Sequence, residues 1–208
     1  MTKLKLTYFD FDGGRGEVPR LALSIAGIAF EDDRVSFADW EALKPKTPFG
    51  AMPVLAVNGE TVAQSNAINR YVGRLAGLYP DDFWQAALCD ETMDAVEDIS
   101  TKLFATFNMP EEEKQRTRKA LADGPLTFYL ERLQRRLEER GGEYFADGRL
   151  TVADLKVFLW ARHLRSGALD HIPADLVDRV APKLAAHCER VKVHPGVAAY
   201  YAKRKTSR

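Results

Sequence analysis

"PVLAVNGETVAQSNAINRY", residues 53–71, changes local grammar twice. Val54-Leu55-Ala56-Val57 and Glu60-Thr61-Val62-Ala63 are short runs suited to strands. Between them, Asn58-Gly59 is the dipeptide that best tolerates the two positive φ angles of a type I′ hairpin. A helix is predicted to follow at once, from Ser65 to about Leu75. A serine at that start can accept a hydrogen bond from an otherwise unpaired backbone N–H and so cap the helix. Alternatively, the free N–H groups and the positive end of the helix dipole can hold an anion, with Gln64 and Ser65 adding side-chain donors. The stretch alone leaves both readings open.

Towards the N-terminus, Leu4, Leu6 and Tyr8 alternate with Lys3, Lys5 and Thr7, which predicts a strand from Lys3 to Phe9. Leu21, Ala22, Leu23, Ile25 and Ala26 form a helical apolar run that stops at Gly27. "AFEDDRV" (29–35) reads as a second strand and "SFADWEALK" (36–44) as a short helix or turn. The order is therefore β-α-β-α-β-β-α. Beyond "GLYPDD" (77–82) the period changes: Leu88, Val96, Ile99 and Leu103, then Leu126, Leu130, Leu133 and Leu137, recur at helical spacing. "LTVADLKVFLWARHL" (150–164) is apolar nearly all round and should be a buried central helix. Thr151 and Asp154 are set for a capping box, and Leu150 and Leu155 for a hydrophobic staple. The reading is an α/β domain over residues 1–78 and an all-helical domain over 84–208, with the boundary near 77–83.

Composition excludes several classes of function. Lys plus Arg and Asp plus Glu number 30 each, so no overall field draws nucleic acid or an anionic membrane. The basic group Lys203, Arg204, Lys205 and Arg208 reads as a solvated end. The N-terminus lacks the apolar core of a signal peptide, and no run is long enough to span a membrane. Cys89 and Cys188 suit reduced thiols in a cytoplasmic protein. His163, His171, His187 and His194 have no metal-ligand spacing, so no metal is expected. Gly13-Gly14-Arg15-Gly16 is too short and wrongly patterned for a dinucleotide fingerprint.

"KLTYFDFDGGRGEVPRL" (5–21), "ADWEALK" (38–44), "PFGAMPVL" (48–55), "QSNAINRY" (64–71) and "LTVADL" (150–155) occur in an order that resembles the glutathione transferases. The sigma class, which includes prostaglandin D synthases and lens S-crystallins, is the most similar. The resemblance spans essentially the whole chain and implies a thioredoxin-like domain followed by a helical one. "FDFDGGRGEVPR" contains no Cys-x-x-Cys pair, so disulfide exchange is not expected, and Tyr8 occupies the equivalent region.

Carried over residue by residue, the resemblance implies that the Tyr8 hydroxyl donates to the glutathione sulfur and that Arg15 orients Tyr8. Gln64 and Ser65 receive the γ-glutamyl carboxylate, and Met52, before a cis Pro53, pairs its backbone with the cysteinyl unit. Trp40 and Lys44 take the glycyl carboxylate. Asp98 reaches the γ-glutamyl amine of the partner subunit, and Phe49 is an aromatic key at a homodimer interface. Phe9, Phe11 and Phe104 are expected to line the pocket for a small hydrophobic electrophile. Two departures weaken the match: the usual RGR reads "GGR" here after one extra residue in "FDFDG", and Ala51 replaces a lysine or glutamine. The implied activity is conjugation of glutathione, as co-substrate, to hydrophobic electrophiles in a detoxifying role. Glutathione-dependent isomerisation or peroxide reduction, or a binding or structural role with low turnover, are the alternatives.

Overall fold

The expected hairpin sits at the edge of a four-stranded sheet ordered β2-β1-β3-β4, made of β1 (Leu4–Phe9), β2 (Glu31–Val35), β3 (Val54–Val57) and β4 (Glu60–Ala63). This computed structural model describes residues 2–206, with side chains as far as Arg204. Asn58 and Gly59 have φ of 54° and 97°, the two positive values that a type I′ turn needs. The Asn58 N–H donates to the Lys3 carbonyl at 2.9 Å, and the Asn58 side chain accepts the Lys3 N–H at 2.9 Å, so the turn is also tied to the start of β1. β1 runs parallel to β2 and antiparallel to β3, with Tyr8 opposite Arg34 and Leu6 opposite Leu55. The alternation read in β1 is real: Leu4, Leu6 and Tyr8 are buried.

Helix α1 (Glu17–Ile25) and helix α3 (Ser65–Leu75) pack against one another. Short helix α2 (Trp40–Leu43) leads into a 3₁₀ turn, Lys44–Lys46. α3 is followed by Gly77, two residues past Leu75, whose φ of 66° allows the Leu78 N–H to return to the Gly73 carbonyl at 2.7 Å, a glycine-dependent helix stop.

The second half is helical as expected: α4 (Phe83–Phe104), α5 (Glu111–Leu121), α6 (Thr127–Glu139), α7 (Val152–Leu164), α8 (Leu176–Val180) and α9 (Pro182–Val193). α7 packs against α4 and α9, and every residue from Val152 to Ala161 is buried. Asp154, fully buried, accepts from the Thr151 N–H (2.8 Å), the Thr151 hydroxyl (2.7 Å) and the Phe145 N–H (3.0 Å), and pairs with His187 Nε2 at 3.0 Å. The capping box is thus also a bridge to the loop before α7 and to α9. Cys89 and Cys188 are free and buried, and burial pushes each thiol up to about 12.

Two features differ from the sequence reading. The contacts divide the chain after Tyr79, and the segment from Pro195 onward groups with the first unit rather than with Pro80–His194. Helix α10 (Pro195–Thr206) packs on α1, and the approach is close: a methyl on Gly196 would lie 2.8 Å from Ile25. The basic end is also not simply solvated, because Arg204 pairs with Asp12 at 2.5 Å. The Lys205 side chain and Arg208 lie outside the described residues.

Candidate active site

Tyr8, 6% exposed, lies near the end of β1 in a small apolar cluster with Val35 and Met52, against which Phe9, Phe11, Trp40 and Leu43 pack. Its hydroxyl oxygen accepts the backbone N–H of Arg15 at 3.0 Å. With the oxygen engaged as acceptor, the phenolic O–H is left to donate elsewhere. Burial pushes the phenol above its ordinary pKa of 10; the Arg15 and Gly16 N–H groups and the Arg15 and Arg20 charges pull it down but do not win. At neutral pH Tyr8 is therefore a neutral donor.

The loop that supplies the Arg15 N–H depends on its glycines. A methyl on Gly14, where φ is 65°, would lie 2.5 Å from Tyr8 Oη, and one on Gly16 would lie 2.3 Å from the Tyr8 ring. Real side chains never come that close, so the backbone reaches Tyr8 only because both positions are glycine. Beneath the loop, Arg20 is fully buried. It donates to the carbonyls of Phe9 and Phe11 at 3.2 Å each, to Asp32 at 2.8 Å and to Glu17 at 3.4 Å, and its guanidinium stands 5.5 Å from the Tyr8 ring centroid. Arg20 pins the backbone on which Phe9 and Phe11 are carried.

The Met52-Pro53 bond is cis, and both residues are buried. Trp40 is half-buried and meets Phe9 edge-on at 5.5 Å, while Lys44 is exposed in the 3₁₀ turn. At the start of α3 the residue in the cap position is Gln64, not Ser65, and the Gln64 side chain makes no capping hydrogen bond. Ser65 is the first helical residue and is buried; Gln64 is exposed with φ 73°, a left-handed value rare outside glycine. Ser65 thus stands in the first turn rather than at the cap position. A strained polar residue at a helix N-terminus suits reception of an anion.

The models for the glutathione S-transferase N-terminal and C-terminal domains match residues 4–74 and 97–204. The chain belongs to the glutathione S-transferase family. Glutathione S-transferase 1 of Ascaris suum is 40% identical over 76% of this chain and 78% of its own. The structure of prostaglandin synthase D of Nilaparvata lugens superposes with a TM-score of 0.86 at 31% identity, covering 97% of this chain and 98% of that one. A monomeric glutathione S-transferase of the hookworm Necator americanus gives 0.78 at 27% identity, with 97% of each chain covered.

Within this glutathione S-transferase, Phe9 and Phe11 form a near-parallel stack with Phe37, which is 71% exposed; the ring centroids of Phe9 and Phe37 are 4.7 Å apart. Phe104 and Asp98 are carried by α4 in the second unit. Phe104 meets Phe107 edge-on at 5.4 Å. Asp98 is exposed and has no ion-pair partner among the described residues, which removes the local ion pair as its explanation. Phe49, 68% exposed, is no core residue. Sequence reading missed Phe37, Arg20 and the Asp12–Arg204 pair. For Arg20 the one available signal was an arginine one turn after Glu17 in a helix whose remaining buried positions are apolar.

Proposed function

We propose that Tyr8 activates glutathione by donating its hydroxyl hydrogen bond to the sulfur, and that the thiolate then attacks a small hydrophobic electrophile. The observation that carries this reading is the Arg15 N–H on Tyr8 Oη at 3.0 Å, which leaves a neutral phenol free to donate. A thiol of pKa about 8.5 is only about 3% thiolate at pH 7, whereas one lowered by two units is roughly three-quarters thiolate, a preference of about 2.7 kcal/mol. The sulfur proton leaves to solvent, the sulfur lone pair forms the new C–S bond, and the electrophile's leaving group or π electrons take up the displaced pair. Tyr8 keeps its proton throughout. Because nucleophilicity falls with thiol pKa, proximity to the electrophile supplies much of the remaining acceleration.

In this reading Gln64, Ser65 and the α3 N-terminus receive the γ-glutamyl carboxylate, Met52 beside Pro53 pairs with the cysteinyl backbone, and Trp40 and Lys44 take the glycyl carboxylate. Arg15 adds positive potential. Phe9 and Phe11 line the electrophile side. A homodimer in the cytoplasm, with Phe49 as key and Asp98 reaching the partner's glutathione amine, completes the reading; the exposure of both side chains supports it. Similarity to a prostaglandin synthase favours glutathione-dependent isomerisation as the second reading, on the same thiolate. Retention on immobilised glutathione followed by conjugation of a chloronitroaromatic tests the first. Retention without turnover on a broad electrophile panel would instead support isomerisation or a binding role.

A further inference from the structure

Three rings beside Tyr8 share one orientation. The planes of Phe9, Phe11 and Phe37 lie within 27° of one another, and the backbone sets them there. The Phe11 N–H returns to the Phe9 carbonyl at 3.0 Å, in a turn that Arg20 holds by both carbonyls. The Asp10 N–H reaches the Val35 carbonyl at 3.0 Å, so the chain leaving β2 starts beside that turn. The Ser36 hydroxyl then donates to the Asp39 carboxylate at 2.6 Å and accepts the Asp39 N–H at 3.1 Å, which closes a second turn with Phe37 inside it. The Tyr8 ring meets Phe9 at 5.6 Å and Phe11 at 5.7 Å, and Phe37 stacks outside them, 4.7 Å from Phe9 and 6.2 Å from Phe11. Rings covering both faces of Phe37 would stand about 7 Å apart or more, because each stacked contact takes about 3.5 Å. Phe9 and Phe11 are 6.4 Å apart, so they do not sandwich Phe37, whose ring stays open at the end of a row that begins at Tyr8.

We infer that Phe37 is a specificity-determining residue, which selects electrophiles carrying a flat, electron-poor ring beyond the reacting carbon over electrophiles of similar size that carry an alkyl chain there. The face of a phenylalanine ring is electron-rich, so a ring drained of π electrons by a carbonyl or nitro group stacks on it with an attraction beyond the burial of area. An alkyl chain buries area on the same face and gains nothing more. Both turns hold their rings before a substrate arrives, so little order has to be imposed on binding. The inference rests on Tyr8 as the thiolate donor, because it takes the reacting carbon to lie at the sulfur.

The test pairs two methyl enones that differ only in the group on the β-carbon, phenyl in one and pentyl in the other. In both, the sulfur lone pair forms the C–S bond at the β-carbon, the alkene pair shifts to the α-carbon, and a solvent proton completes the adduct. The parent, Phe37→Leu and Phe37→Tyr are compared by kcat/KM on each enone and by affinity for S-nitrobenzylglutathione and S-hexylglutathione. Phe37→Leu, which stays apolar but loses the π face, should lower the phenyl-to-pentyl ratio about 2- to 10-fold, chiefly through KM, with a matching fall in the nitrobenzyl-to-hexyl affinity ratio. Phe37→Tyr, which keeps the face, should keep the parent ratios. Unchanged ratios in Phe37→Leu overturn the assignment and leave Tyr8 standing. So does a changed sedimenting mass with unchanged ratios, which would give the ring to a contact between two copies of the chain. A bound-thiol titration that does not shift in Tyr8→Phe overturns the activation reading, and the inference with it.

Discussion

A single methyl at position 16 would meet the Tyr8 ring at 2.3 Å, so the side chain absent from Gly16 matters as much as the hydroxyl present on Tyr8. The backbone at Gly16 has φ −83° and ψ −11°, which alanine adopts freely, so Gly16→Ala isolates the close approach from any backbone preference. It should cost about 1–3 kcal/mol of stability, as overpacking does, and push Tyr8 away from the Arg15 N–H. Denaturant midpoints and the bound-thiol titration of the variant read the two effects separately; a variant matching the parent in both would show that the loop absorbs the methyl. Gln64 makes the same point about conformation: its side chain type was readable as polar at a helix start, but its φ of 73° was not, because asparagine and glycine are the residues that ordinarily announce that region.

At the scale of elements, the strands, the hairpin and α7 were legible because their signals are local. Asn58-Gly59 sets its own turn, and Thr151 and Asp154 lie within one helical turn of each other. The same aspartate then does what no local pattern announces, bridging to the Phe145 N–H and to His187 on α9. Asp154→Ala should therefore cost more than an exposed cap. It strands two donors at Thr151, one at Phe145 and the His187 ring in a buried site, a loss of about 3–5 kcal/mol. Chemical denaturation checks it, and a loss below 1 kcal/mol would mean that water or a rearranged loop replaces the carboxylate. α10 was the element read least well. Its packing partner, α1, is distant in sequence, and the basic composition of its end hid the fact that Arg204 meets Asp12.

For the whole molecule, the proposed homodimer would give cover to groups that the single chain leaves exposed. Phe49 at 68% exposure is a large apolar side chain without cover in the single chain. If it fills a pocket in a partner, Phe49→Ala removes that burial and leaves a cavity, a loss of about 2–4 kcal/mol of association. Sedimentation at micromolar concentration should then find the variant as monomer and the parent as dimer; a monomeric parent, the state of the similar hookworm enzyme, would contradict the assignment. Phe49 and Asp98 entered through the motifs around them, since a phenylalanine in a loop and an acid on a helix carry no mark of an interface by themselves. The electrophile side was the least legible part, because an aromatic side chain reads alike whether it lines a cleft or fills a core. Phe37 joined Phe9 and Phe11 only once the chain was folded.

The claim on which the account stands is that Tyr8 lowers the pKa of bound glutathione. Its direct measurement is the ultraviolet absorbance of the bound thiolate against pH in the parent and in Tyr8→Phe. The account predicts a rise of about one to two units in the variant, or roughly 1.4 to 2.7 kcal/mol, with little change in glutathione affinity. Conjugation lost at pH 7 should be partly recovered at higher pH, as the thiol ionises without the donor. Coincident titrations with unchanged turnover at neutral pH would contradict the account.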